Sequence, residues 1–175
     1  MIEPEKCHLT HYPAQVLGKR AEPVEKIDDG IRRLVEKMKD MMVEHKGVGF
    51  AAPQAGVALR LFVISLTGKR EDARVYVNPT VTPIGDEFME VEEGCLSVPG
   101  VHTKIRRYKH CTVTAADLEG NKFTEQAEGL YARALQHEYD HIEGITIVSR
   151  MGEAARIAHR RQLKKLTEQQ GHIEN

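Results

Sequence analysis

Tryptophan is absent from this 175-residue chain, and Phe, Trp and Tyr together make up 5% of it. So few rings argue against a stacking surface for nucleic-acid bases. An excess of one charge is also missing: 25 Lys and Arg face 26 Asp and Glu, for a formal net charge of −1. That excludes a chain-wide basic field and, with it, sequence-specific nucleic-acid binding, leaving only local patches. Long hydrophobic runs are lacking as well. A stretch such as LRLFVIS, Leu59 to Ser65, is far shorter than the roughly 20 residues a membrane span needs, so no membrane partner is expected. The N-terminal MIEPEKCHLTHYP carries acids and no continuous apolar region, unlike a secretory or transit peptide, and the chain is expected to stay where it is made. Cysteine is scarce: Cys7, Cys95 and Cys111 are odd in number and unevenly spaced. They form no disulfide framework and suit a reducing compartment. At least one of them needs another explanation.

What is present describes an ordinary globule. A hydrophobic share of 41% and a charged share of 29% predict one domain over residues 1–175 with a core of its own. Pro13, Gly18 and Pro23 punctuate an extended surface segment from Tyr12 to Val24,. A helix follows, capped by Asp28 or Asp29, with Ile31, Leu34, Val35, Met38, Met41 and Met42 at helical spacing up to a stop at Gly47,. From Gly56 to about Thr124 the texture is β. The runs LRLFVIS, RVYVNPT, EFMEV, VHTKIRR and HCTVTAADL are separated by turn residues and favour antiparallel pairing. A second helix is expected from Glu125 or Glu128 to Ile142, ended by Gly144, and a third from Arg150 to about Gln169, capped by Ser149,. The expected class is α+β: antiparallel sheets packed around the second, central helix, with an N-terminal and a C-terminal helix.

Chemistry concentrates in that second helix. His137, Glu138, Tyr139, Asp140 and His141 spell H-E-x-x-H, and i, i+4 spacing sets both imidazoles on one helix face, where they can share a metal. Two histidines and a carboxylate on an inward stripe are costly unless an ion and hydrogen bonds compensate them. A catalytic site of this kind needs a third protein ligand and an open position. The metzincin continuation fails, because Ile147 stands where its third histidine would be,. Glu153 lies near the start of another helix and Glu168 near a frayed terminus; neither compels. Cys95, in E-G-C-L-S after the EFMEV run, is the better candidate, since a thiolate with two imidazoles suits Zn²⁺ or Fe²⁺. Asp140 is expected to support the helix or the ligands from behind. Cys7 and Cys111 read as a surface thiol and a small strand residue, and the remaining histidines as solvated or packed.

Three segments, G-V-G-F-A-A-P-Q (Gly47 to Gln54), E-G-C-L-S (Glu93 to Ser97) and Q-H-E-Y-D-H (Gln136 to His141), in this order resemble the three motifs of the peptide deformylases. The similarity covers about Thr10 to Gly144. The resemblance implies hydrolysis of the formyl group from N-formylmethionine at the start of new polypeptides. It implies one divalent ion, Fe²⁺ first and Zn²⁺, Ni²⁺ or Co²⁺ as alternatives, held by Cys95, His137 and His141. Glu138 would be the general acid/base. The Gln54 side-chain amide and the Leu96 backbone N–H would meet charge developing on the formyl oxygen. Gly47, Val48 and Gly49 would pair with an extended peptide, and Val48, Leu130 and the stem of Arg133 would receive the methionine side chain. The plainer alternative for Gly47 alone is that it ends the first helix.

The chain departs from many relatives after the third motif, where Ile145-Thr146-Ile147-Val148-Ser149 replaces a bulky apolar stretch with an acidic residue. That leaves the local packing open, not the ligands. The third helix is basic through Arg150, Arg156, Arg160, Arg161, Lys164 and Lys165. A solvated face is the plain reading, and contact with the ribosome, as in some family members, the functional one. The partners the resemblance implies are nascent formylmethionyl peptides and, through that helix, the ribosome; the expected location is cytoplasmic, or organellar for a processed chain. Two rival functions remain: an H-E-x-x-H metallopeptidase with a different third ligand, and a silent peptide-binding relative.

Overall fold

A computed structural model describes residues 3–173. Helix α1 spans Asp29–Glu44, and the Asp28 side chain caps it by accepting from the Ile31 N–H at 3.0 Å, which satisfies one of the orphan donors of its first turn. Ile31, Leu34, Val35, Met38, Met41 and Met42 form its buried stripe, as the spacing predicts. The stop comes one residue earlier than expected. Lys46, at φ 57, takes the left-handed position, and Gly47 N–H donates back to Met42 O at 2.8 Å.

One five-stranded antiparallel sheet follows, where the sequence reading expects several. Its strands β1 (Gly49–Ala51), β2 (Leu61–Ile64), β3 (Arg74–Gly94), β4 (His102–Ala116) and β5 (Lys122–Glu128) lie in sequence order, so β1 and β5 are its edges. RVYVNPT and EFMEV are not two strands but parts of β3, and VHTKIRR and HCTVTAADL merge into β4. The turn residues between the β3 runs are absorbed as irregularities. Pairing with β4 shifts between Val77 and Thr80 and between Ile84 and Phe88, around left-handed Asn78 (φ 50) and Gly85 (φ 67), which re-aim a strand without ending it. The second helix, α2, spans Gly129–Ile142. Residues 125–128, the earlier of its two expected starts, belong to β5.

Alternation along the strands gives the sheet two apolar faces. Phe50, Leu61, Val63 and Val77 pack with α1, while Ala51, Phe62, Ile64, Tyr76, Cys111 and Val113 pack with Ala132, Ala134, Leu135 and Ile142 of α2. Helix α2 thus lies against one face of the sheet and α1 against the other. The leading segment is neither wholly extended nor superficial: Gln15–Gly18 form a 3₁₀ turn. Leu17 and Ala21 are buried, and the Asn78 side chain both donates to Val24 O (2.9 Å) and accepts from Val24 N–H (2.8 Å), standing in for a strand partner.

The expected single helix over 150–169 is two pieces, α4 (Glu153–Ala158) and α5 (Arg160–Ile173), preceded by a short α3 (Ile147–Arg150). Gly152 and His159 interrupt it. Ile147, Val148, Met151 and Leu166 from these pieces bury themselves against Val98, Val101 and Ile105, so tertiary contacts, rather than helical periodicity, set the path of the chain. Helix α3 occupies the departing segment, and its apolar residues give that segment a core role.

Candidate metal centre

The final two turns of α2 carry His137, Glu138 and His141; Glu138 is 4% and His141 1% exposed. Cys95 arrives from the turn after β3, placing its sulfur 3.3 Å from His141 Nε2. One donor atom from each of Cys95, His137 and His141 lies within 4.8 Å of the other two. The two rings sit 5.1 Å apart at 72°. Among the described residues this is the one such cluster of cysteine, histidine and acidic groups. A soft sulfur and two imidazoles are the donor chemistry of a mononuclear Zn²⁺- or Fe²⁺-type site.

The electrostatics fit an ion as well. Burial disfavours a thiolate at Cys95, but the His141 and His137 imidazoles outweigh it and hold that thiol well below the usual range. Burial likewise disfavours charge on His137, yet its hydrogen bonds to Cys95 and Glu93 carry it well above an ordinary histidine. The pair balances its charges with a proton where a cation would serve. Glu138 is pushed up to about 6, chiefly by burial and against the pull of both imidazoles,. Its Oε2 and His141 Nδ1 are buried with no hydrogen-bond partner, so the carboxylate has capacity left for a visiting molecule.

Of the two imidazoles, His137 is also held from behind. Glu93 Oε2 lies 3.1 Å from His137 Nδ1, the partner that leaves Nε2 free for a metal. Arg107, 3% exposed, forks onto that same Glu93 at 3.0 and 2.9 Å. Glu93 is drawn down to about 2: burial opposes the charged form, but hydrogen bonds from His137 and Arg107 overcome it. The sequence reading missed both residues. A signal for Arg107 exists in β4, where strict alternation sets it on the inward face with Thr103 and Ile105, an arginine at an apolar register.

A cleft of about 640 Å³ opens beside these groups. Gly47, Val48, Gly49, Gln54, Cys95, Leu96, Leu130, Arg133, His137 and Glu138 all line it, whereas His141 lies beneath. His11, His45 and His102 also line it; His45 and His102 are exposed and His11 partly buried, within the solvated-or-packed reading, but their gathering at one cleft is new. Gln54, 2% exposed, sits in a 3₁₀ turn over Ala52–Ala55. Its Oε1 accepts from Ala51 N–H at 2.9 Å, which fixes the flip of the amide and turns its NH₂ towards Ser97 Oγ (3.2 Å) and Cys95 Sγ (3.7 Å). Ser97 is a further residue the sequence reading left without a role. Gly49 is required by contact, since a Cβ there would lie 2.3 Å from Glu138 Oε1. Val48 (39%) and Leu130 (46%) remain exposed at the rim.

These features define a class: an α+β protein whose helix-borne His pair meets a cysteine from a distant turn at the floor of an open cleft. The polypeptide deformylase family model matches residues 6–156. A peptide deformylase of Neisseria gonorrhoeae is 40% identical over 158 residues, 90% of this chain and 94% of that protein. That of Pseudomonas aeruginosa is 37% identical over 163 residues, 93% and 97% of the two chains. Among solved structures, a peptide deformylase from Legionella pneumophila superimposes with a TM-score of 0.86 at 40% identity, covering 94% of this chain and 97% of that one. The Plasmodium falciparum enzyme gives 0.92 at 30% identity, covering 96% and 99%. The chain belongs to the peptide deformylase family of enzymes.

Proposed function

We propose that this chain hydrolyses the N-formyl group of the N-terminal formylmethionine of newly made polypeptides, releasing formate. The observation that carries the reading is the convergence of Cys95, His137 and His141 donor atoms within 4.8 Å, beside a buried Glu138 with an unpartnered oxygen at the cleft. The three donors would hold one divalent ion, Fe²⁺ first, with Zn²⁺, Ni²⁺ or Co²⁺ as alternatives, since availability rather than this donor set selects among them. Such an ion supplies Lewis acidity to the carbonyl and acidity to water. Glu138 takes a proton from the attacking water as oxygen bonds to the formyl carbon. It then delivers that proton to the leaving nitrogen as the C–N bond breaks, which leaves formate and a free amine.

Charge gathers on the formyl oxygen during attack. The Gln54 NH₂ and the Leu96 backbone N–H are the donors at the cleft that meet it,. β1 is an edge strand that begins at Gly49; with Gly47 and Val48 just before it, Gly49 would offer backbone groups to an extended peptide, which adds as a further strand. Val48, Leu130 and the Arg133 stem take the methionine side chain.

The substrate places the chain in the cytoplasm, or in an organelle that makes formylated proteins. No helix is long and apolar enough to cross a membrane among the described residues. On α5 the basic residues Arg160, Arg161, Lys164 and Lys165 lie on the helix that would meet the ribosome; binding that weakens steeply with salt supports this contact, and no binding at low salt removes it.

Formate release from formyl-Met-Ala by Fe²⁺- or Ni²⁺-loaded protein, kept anaerobic, tests the main reading. Fully metallated protein that releases none overturns it and leaves a silent peptide binder.

A further inference from the structure

Asp140 stands between the two helix-borne imidazoles in sequence, yet it does not line the cleft and is 6% exposed. Its carboxylate accepts three hydrogen bonds: from Arg107 Nη1 (2.5 Å), Arg150 Nε (3.0 Å) and Arg150 Nη2 (2.5 Å). Arg107 spends its remaining edge, Nε and Nη2, on Glu93, whose Oε2 faces His137 Nδ1. An unbroken line of charge-assisted contacts therefore runs from α3 to His137.

With His137 neutral, as a metal-holding imidazole is, the line balances its charge only when complete. Two guanidinium groups balance two carboxylates, and the Arg107, Glu93 and Asp140 side chains are 3%, 6% and 8% exposed. Arg150 alone reaches solvent, at 43%. Without it, a buried cluster would keep two carboxylates and one cation, an imbalance that low dielectric makes costly. A guanidinium is a rigid planar fork. Arg107 cannot follow a less restrained Asp140 without rotating its other edge off Glu93. Ile147, Val148 and Met151 anchor α3 in the core, so Arg150 is delivered by packing rather than by chance contact at the surface.

We propose that Arg150 is a positioning residue for His137, acting through Asp140, Arg107 and Glu93, so that the helix after the H-E-x-x-H segment governs how firmly the Cys–His–His set retains its ion. This rests on the metal-site reading above. The test loads the full chain with Co²⁺, records the sulfur-to-metal and d–d absorption bands, and follows their decay after adding a chelator in excess. Arg150→Ala should shift the d–d bands and lose Co²⁺ about tenfold faster, the low end of what removing an outer partner of a ligand costs. Arg150→Lys, which keeps the charge but not the fork, should recover part of the loss. Arg156→Ala is the control for loosened packing: its guanidinium holds Val148 O at 2.9 Å with no link to Asp140, and it should decay like the parent. Arg150→Ala behaving as the parent, or Arg156→Ala losing metal equally fast, overturns the proposal. A parent chain with no sulfur-to-metal band would instead overturn the metal-site reading itself.

Discussion

At Glu138 a carboxylate is packed where nothing satisfies one of its oxygens, an arrangement that costs stability and is retained where chemistry uses it. Replacing Glu138 by Gln should abolish turnover while metal stoichiometry, measured by elemental analysis, stays at the parent value. Gln54 is a donor of fixed direction because Ala51 N–H occupies its oxygen. Gln54→Leu should lower kcat by two to three powers of ten, roughly the 2.7–4 kcal/mol that one such donor contributes, with metal content unaltered. Equal loss of both would sink the assignment. Cys111 illustrates the opposite kind of site. Burial alone raises its thiol to about 11, so at pH 8 only about a thousandth is thiolate, the reactive form. Iodoacetamide at that pH should modify Cys7 well before Cys111, as peptide mapping would show.

Among the elements, α1 owes its start to a single side chain. Asp28→Ala should cost about 1 kcal/mol in urea unfolding, the usual worth of such a cap, and leave the cleft untouched. β3 and β4 show why turn residues misled the reading of strands. Asn78 and Gly85 can end a strand, but each can equally bend one that continues, and only the partner strand decides. The ladder, continuous from Phe88 to Gly94, holds Glu93 near the end of β3 opposite Thr103 of β4, two residues from Ile105 and four from Arg107 on one face. The C-terminal pieces carry the same lesson. Their periodicity suits one long helix from Arg150, yet Ile147 and Val148 of α3, with Met151, bury themselves against Val98 and Val101, and the chain beyond is divided into α4 and α5.

For the whole molecule, the metal site is a joint between parts of the chain more than forty residues apart, so ion binding is also folding energy. Chelation should lower Tm, and refilling with Ni²⁺ should restore it in proportion to ion concentration over Kd. Cys95→Ser should sharply weaken metal binding; near-normal affinity would favour a metallopeptidase with another third ligand.

Helical spacing in residues 31–42, alternation in the strands and the i, i+4 pair in α2 are local periodicities, and each was legible because it follows from backbone geometry alone. The three short motifs, in order, carried the family. Of the buried ion line from Arg150 to His137 only the supporting part of Asp140 was legible, and the joining of strand pairs, the cut C-terminal helix and the gathering of His11, His45 and His102 at the cleft were not. These depend on which distant surfaces meet when the chain packs, and charge neutrality inside a low-dielectric core is settled only there.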